Sequence, residues 1–219
     1  MAAGHCMDAI DDAIGADGWW PSARRYDSPN FNARPADAAV ELVVLHNISL
    51  PAGQFGGPHI ADLFTNRLDF HADVSFDSLR GVQVSSHFLV RRDGAVVQFV
   101  STDQRAWHAG LSCFEGRENC NDYSVGIELE GSDFVAFSSV QYASVARLIA
   151  ALAARYPVRA EQGHEHIAPG RKSDPGPHFD WPKLQELLVP AAPTLVGANR
   201  PTGANVDLRN VKWPHPNLG

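Results

Sequence analysis

The chain has 219 residues, 44% of them hydrophobic, and a formal charge of −7 at pH 7, a length that supplies one well-buried core rather than two. An acidic balance with no stripe of Lys and Arg excludes a phosphate-tracking surface, and with it nucleic acid as a partner. No stretch approaches the roughly 18 apolar residues of a membrane span, and no basic region leads into an apolar run at the start of the chain.

Three cysteines, Cys6, Cys113 and Cys120, give no disulfide framework, although Cys113 and Cys120 could pair in an oxidised sample. The expectation is a cytoplasmic monomer that acts on a small molecule and touches no membrane.

In chain order, residues 1–17 are acidic and alanine-rich without an apolar face and read as a loosely attached extension. The run "ELVVLH" at 41–46 reads as a buried strand ending in a histidine, followed by a long loop. The segment 56–81 is an insertion, carrying His59 and His71 as surface residues, that could fold over a site. At 87–100, Asp93-Gly94 between two apolar runs predicts a hairpin. Residues 123–130, "YSVGIELE", alternate Val125, Ile127 and Leu129 against Gly126, Glu128 and Glu130, which predicts a strand with one core face. Val145, Leu148, Ile149, Leu152 and Tyr156 recur on one helical face, with Ser138 and Gln141 as a capping box. A short helix opened by Pro182 follows. Residues 190–219 are proline-rich, without a sustained period, and read as a tail. The fold class is therefore α/β (α+β): a single domain at 18–189 with a mixed sheet flanked by helices.

In such a sheet, strand ends and the loops beyond them converge on one edge. His46 ends a strand. His164 and Asp174 flank "GHEHIAPGRKSDPG", a loop too polar for core and held by Gly163, Gly170, Pro175 and Gly176. Two imidazoles and a carboxylate suit zinc with a fourth position open to water, whose pKa such a metal lowers to roughly 7. The spacing is no standard zinc signature, so chemistry alone leaves a plain loop open beside a metal site.

The motifs "VVLHNISLPAGQFG", "RAWHAG", "NDYSVGIELEG" and "GHEHIAPGRKSDPGPHFDW", in this order, resemble the zinc-dependent N-acetylmuramoyl-L-alanine amidases, and within them the cytoplasmic cell-wall-recycling members. The resemblance runs from about residue 18 to 188 and implies a mixed sheet flanked by helices, of the amidase and peptidoglycan-recognition type. It implies cleavage of the amide between the lactyl group of muramic acid and L-alanine, with preference for the 1,6-anhydro muropeptide. By motif position it implies His46, His164 and Asp174 as Zn2+ ligands, Glu128 as catalytic acid/base and Lys172 as an aid at the scissile carbonyl. The extension and the tail are left unexplained.

Other residues carry plainer readings. Glu130 reads as a solvated or structural acid, His166 as a surface histidine and His87 as a hydrogen-bonded core histidine. Trp107 and His108 read as pocket residues. Asn47 and Arg171, beside the ligands, could hold substrate or cap loops. A binding module that has lost hydrolysis would lack a ligand or Glu128, and neither is missing. A cysteine hydrolase would need a base beside Cys113 or Cys120, and the sequence places none there.

Overall fold

A computed structural model of the chain describes residues 12–189. The proposed tail at 190–219 and the first eleven residues lie outside them. The elements in chain order are strands β1 (Arg24–Arg25), β2 (Phe31–Ala33), β3 (Leu42–Ile48), β4 (Phe88–Val90), β5 (Val96–Gln98), β6 (Gln104–Ala106), β7 (Cys113–Phe114), β8 (Arg117–Glu118), β9 (Ser124–Glu130) and β10 (Ala160–Gly163). The helices are α1 (His59–Phe64), α2 (Ser139–Arg155), α3 (His164–Ile167) and α4 (Trp181–Leu188).

A mixed sheet in the order β1-β5-β4-β9-β3-β10 forms the centre. Only the β4–β5 hairpin pairs antiparallel within it; β4, β9, β3 and β10 run parallel. Both faces of the central strands are covered, which is why β3 reads as an unbroken apolar run and every residue of β9 is buried.

Val43 and Leu45 of β3 and Val125, Ile127 and Leu129 of β9 face α2, meeting Val145, Leu148, Ile149 and Leu152. Truncating one of these fully buried side chains to alanine costs roughly 2–5 kcal/mol. The capping box forms as expected: Ser138 Oγ accepts from the Gln141 amide at 3.3 Å, and Gln141 Oε1 accepts from the Ser138 amide at 3.0 Å. In α4, Pro182 sits in the first turn after the Asp180 cap, whose carboxylate accepts from the Lys183 amide at 3.0 Å.

The other face of the sheet carries the insertion at 56–81, whose Ile60, Leu63, Phe64 and Phe76 pack with Leu89, Val97 and Phe99. Glu130, buried on this face, fastens the loop that leads into the insertion: its carboxylate accepts from the Gly56 amide at 2.7 Å and pairs with Arg91 at 3.0 Å. It is a structural acid. Within the insertion His71 is exposed, whereas His59 is half-buried edge-on to Phe76, a departure from a plain surface residue.

Residues 12–17 are not loose. Ile14 is buried beside Trp20 in the main core, and Asp12 pairs with Arg147 of α2 at 2.7 Å while its carbonyl accepts from the Trp20 indole at 2.8 Å. One apolar side chain and one ion pair suffice to dock a segment with no periodicity of its own. Among the described residues no helix is long and apolar enough to cross a membrane.

Candidate active site

The sheet register builds the site. His46 and Glu128 are paired across β3 and β9, and Leu45 is paired with Gly163 of β10, so His164 emerges directly beside His46. Past α3 the chain turns back, and the Glu165 amide donates to the Asp174 carbonyl at 2.9 Å, bringing the aspartate to both histidines. The turn needs glycine at 176: φ is +86° there, and a Cβ would stand 2.6 Å from Asp133 Oδ1.

Three donor atoms converge. His46 Nδ1 lies 3.0 Å from His164 Nδ1 and 2.9 Å from Asp174 Oδ2, and His164 Nδ1 lies 3.1 Å from the same oxygen. Among the described residues this is the group of His, Cys, Asp and Glu able to hold a metal. His164 Nε2 faces the Ala109 carbonyl at 3.0 Å. A carbonyl only accepts, so Nε2 carries the hydrogen and Nδ1 of the neutral ring presents a lone pair. Burial pushes His46 down to about 4, despite the opposing effect of Asp174, so this ring is neutral at pH 7. Burial alone would raise Asp174, but the two histidines outweigh it and hold the carboxyl well below the usual carboxylate range.

Two imidazole nitrogens and a carboxylate oxygen at such separations need either a shared proton or a cation among them. Tetrahedral zinc bonds of roughly 2.0–2.1 Å set ligand atoms roughly 3.3 Å apart, within a few tenths of an ångström of this triangle. The donor set fits zinc.

Glu128 is 8% exposed, and its Oε2 finds no hydrogen-bond partner among the described residues. Burial, then the negative charge of Asp174, pushes its pKa well above the usual value, with Lys172 opposing. A cavity of about 250 Å³ joins Glu128 to His46, His164, Asp174 and Lys172, and Leu63 and Phe64 of α1 form part of its wall. The insertion thus does border the site. A neighbouring cavity of about 410 Å³ shares Trp107, His108, His164 and Lys172 and reaches Arg171.

Lys172 is exposed. Trp107 is half-buried and lines both cavities, its indole donating to Asn32 at 2.7 Å. Asn47 spends its amide on Asp133 at 2.6 Å and the Pro175 carbonyl at 3.1 Å, and Arg171 grips the Ala109 and Leu111 carbonyls at 2.8 and 2.5 Å. Each holds a loop while bordering a cavity. His108 does more than line a wall: its Nδ1 lies 3.0 Å from His46 Nε2. His87 is a core histidine, accepting from the Gly126 amide at 3.0 Å. His166 is exposed and accepts from the Gly163 amide at 2.9 Å, outside the triangle.

Sequence reasoning missed Asn121, Asp133 and the Ala109 carbonyl. "WHAG" marked the neighbourhood, but neither a backbone carbonyl nor a turn asparagine leaves a pattern. Neither cysteine among the described residues belongs to the donor triangle: Cys120 is buried against the Tyr123 hydroxyl at 3.3 Å, with its thiol pushed up by burial, and Cys113 is exposed.

Comparison with known proteins agrees with the geometry. Residues 36–177 match the N-acetylmuramoyl-L-alanine amidase family. The 1,6-anhydro-N-acetylmuramyl-L-alanine amidase AmpD of Citrobacter freundii is 50% identical over 178 residues, covering 80% of this chain and 95% of that protein. The AmpD of Escherichia coli K12 is 50% identical over 173 residues, covering 78% and 94%. The crystal structure of a selenomethionine derivative of AmpD superposes with a TM-score of 0.77 at 50% identity, covering 78% of this chain and 97% of that one. A family match over well over half of the chain, with half-identical relatives spanned almost end to end, establishes that this chain belongs to the N-acetylmuramoyl-L-alanine amidase family.

Proposed function

We propose that the protein is a zinc hydrolase of peptidoglycan recycling, cleaving the amide between the lactyl group of 1,6-anhydro-N-acetylmuramic acid and L-alanine. It acts as a cytoplasmic monomer, through the domain at 18–189 with residues 12–17 docked on it. The observation that carries this reading is the convergence of His46, His164 and Asp174 at about 3 Å beside a buried Glu128 whose Oε2 has no hydrogen-bond partner among the described residues. The relatives' printed activity supports the same bond and the same anhydro sugar.

His46 and His164 through Nδ1 and Asp174 through Oδ2 would hold the ion. When bound, zinc supplies Lewis acidity, acidifying a water and polarising the substrate carbonyl. Glu128 takes a proton from the attacking water and returns it to the departing alanine nitrogen. Its burial lets it hold that proton between the two transfers. Lys172 lines both cavities, and its ammonium would favour the tetrahedral state over the neutral ground state as negative charge gathers on the carbonyl oxygen. Trp107 offers a flat apolar face to a sugar ring or stem. No side-chain nucleophile is needed.

A digest of mixed reducing and 1,6-anhydro muropeptides, with mass analysis of the products, tests the reading. Free peptides beginning with L-alanine are expected, drawn first from the anhydro species. Equal consumption of both sugars would remove the anhydro preference, and release of no peptide would remove the function.

A further inference from the structure

Both imidazoles of the metal cluster take their second hydrogen bond from two consecutive residues. His46 Nε2 meets His108 Nδ1 at 3.0 Å, and His164 Nε2 meets the carbonyl of Ala109 at 3.0 Å. A single buried side chain holds that dipeptide: Asn121 Oδ1 accepts from the His108 amide at 3.1 Å and from the Ala109 amide at 2.8 Å. Arg171 donates to the same Ala109 carbonyl at 2.8 Å. The His108 ring packs against β9 at Gly126, where a Cβ would stand 2.5 Å from its Cγ, so glycine there leaves the ring its place.

The chain from His46 through His108 ends at Ser124 Oγ, 3.3 Å from His108 Nε2. A serine hydroxyl donates or accepts, so the chain has two polarities. In one, Ser124 donates to His108, His108 Nδ1 donates to His46 Nε2, and the His46 hydrogen sits on Nδ1, inside the donor triangle. In the other, His46 Nε2 donates to His108 Nδ1 and His108 Nε2 donates to Ser124, which leaves the His46 Nδ1 lone pair free. Only the second polarity is compatible with a cation at the triangle. His164 Nε2 faces both the Ala109 carbonyl at 3.0 Å, which only accepts, and an Arg171 guanidinium nitrogen at 3.4 Å, which only donates; the shorter contact places the hydrogen on Nε2, and Arg171 is held instead by the two backbone carbonyls.

We propose that His108 and Ala109, pinned by Asn121, form a bracket that fixes the ligating nitrogen of both histidines. His108 and Asn121 are then positioning residues for the metal. This rests on the zinc reading above. Partners of ligating histidines typically contribute 10–100-fold in metal affinity, roughly the effect expected here.

The test is zinc affinity by competition with a chelator, alongside melting temperature. His108→Phe keeps a ring over Gly126 but removes the acceptor, and should bind zinc roughly 10–100-fold more weakly while still folded. His108→Asn sets an amide oxygen near the position of Nδ1 and should restore most of that affinity. Asn121→Ala frees both amides and should weaken zinc binding to a similar degree. In the zinc-loaded wild type, nitrogen-15 NMR should place the ring hydrogen of both His46 and His164 on Nε2, with that of His46 bonded to His108. A wild type that binds zinc while His108→Phe binds it equally tightly overturns the bracket alone. So does a ring hydrogen of His46 found on Nδ1 in the zinc-loaded protein. A wild type that binds no zinc overturns both this inference and the reading it rests on.

Discussion

His46 and Glu128 are register partners on adjacent parallel strands, their side chains on the same face of the sheet. Neighbouring strands lie roughly 4.8 Å apart, so a proposed metal ligand and a buried carboxyl are fixed side by side by backbone pairing rather than by a mobile loop. Burial raises the Glu128 pKa well above its usual value, and a dication beside it would pull that value back towards the working range of an acid/base. Glu128→Gln keeps the shape and leaves the ligands alone. It should lower kcat by roughly 10²–10⁴ with zinc content and KM largely unchanged; a variant that keeps its zinc and turns over normally would shift the proton transfer to another group.

Asp174 is the anionic member of the cluster, its carboxyl held well below the usual carboxylate range by the two histidines. Asp174→Ala should leave the protein with little zinc after gel filtration and without activity, because two imidazoles neither neutralise nor enclose a dication. Metal analysis of the purified variant decides the matter, and full zinc occupancy would place the ion elsewhere.

Lys172→Met tests the oxyanion role. Loss of one donor at a developing negative charge costs roughly 2.7–4 kcal/mol in kcat, with KM and zinc occupancy spared. If the lysine instead attracts the acidic substrate, KM rises and high salt reproduces the effect in the wild type. If it braces the loop, zinc or melting temperature falls.

A fourth expectation concerns stability. Glu161 is fully buried on β10, its carboxyl oxygens without a partner among the described residues apart from a contact with its own backbone, and burial pushes its pKa from 4.5 up to about 8. Between these values the unfolded chain has shed a proton that the folded chain keeps, so this residue makes stability fall as pH rises through that window. At about 1.36 kcal/mol per pH unit the ceiling is roughly 5 kcal/mol. Glu161→Gln does not titrate. Its melting temperature should be close to that of the wild type near pH 5 and exceed it by a margin that grows to about pH 8 and then levels off. A constant difference across that range would contradict the assignment.

The sequence made the centre of the fold legible because β3, β9 and α2 are long enough for their apolar residues to repeat. The strands β1, β2, β6, β7 and β8 span two or three residues each, too few for any period, and Ile14 docks a segment by one side chain. The three ligand candidates were legible because residue type and motif spacing both mark them. Their supports were not: the Ala109 carbonyl has no side-chain identity, Asn121 looks like any turn residue, and the part His108 plays depends on which nitrogen faces His46. Asn47 and Arg171 sit where the motifs put them, but which polar groups they spend on loops is decided by tertiary contacts alone.

Zinc-dependent hydrolysis of the lactyl–alanine amide by these groups can be read from a single substrate. The most direct measurement is mass analysis of a 1,6-anhydro-N-acetylmuramyl tripeptide after incubation with zinc-loaded protein, chelator-stripped protein, and stripped protein resupplied with zinc. Anhydro-muramic acid and a free peptide beginning with L-alanine are expected in the first and third reactions, and intact substrate in the second. Intact substrate in the first reaction, or equal cleavage in the second, would contradict zinc-dependent hydrolysis.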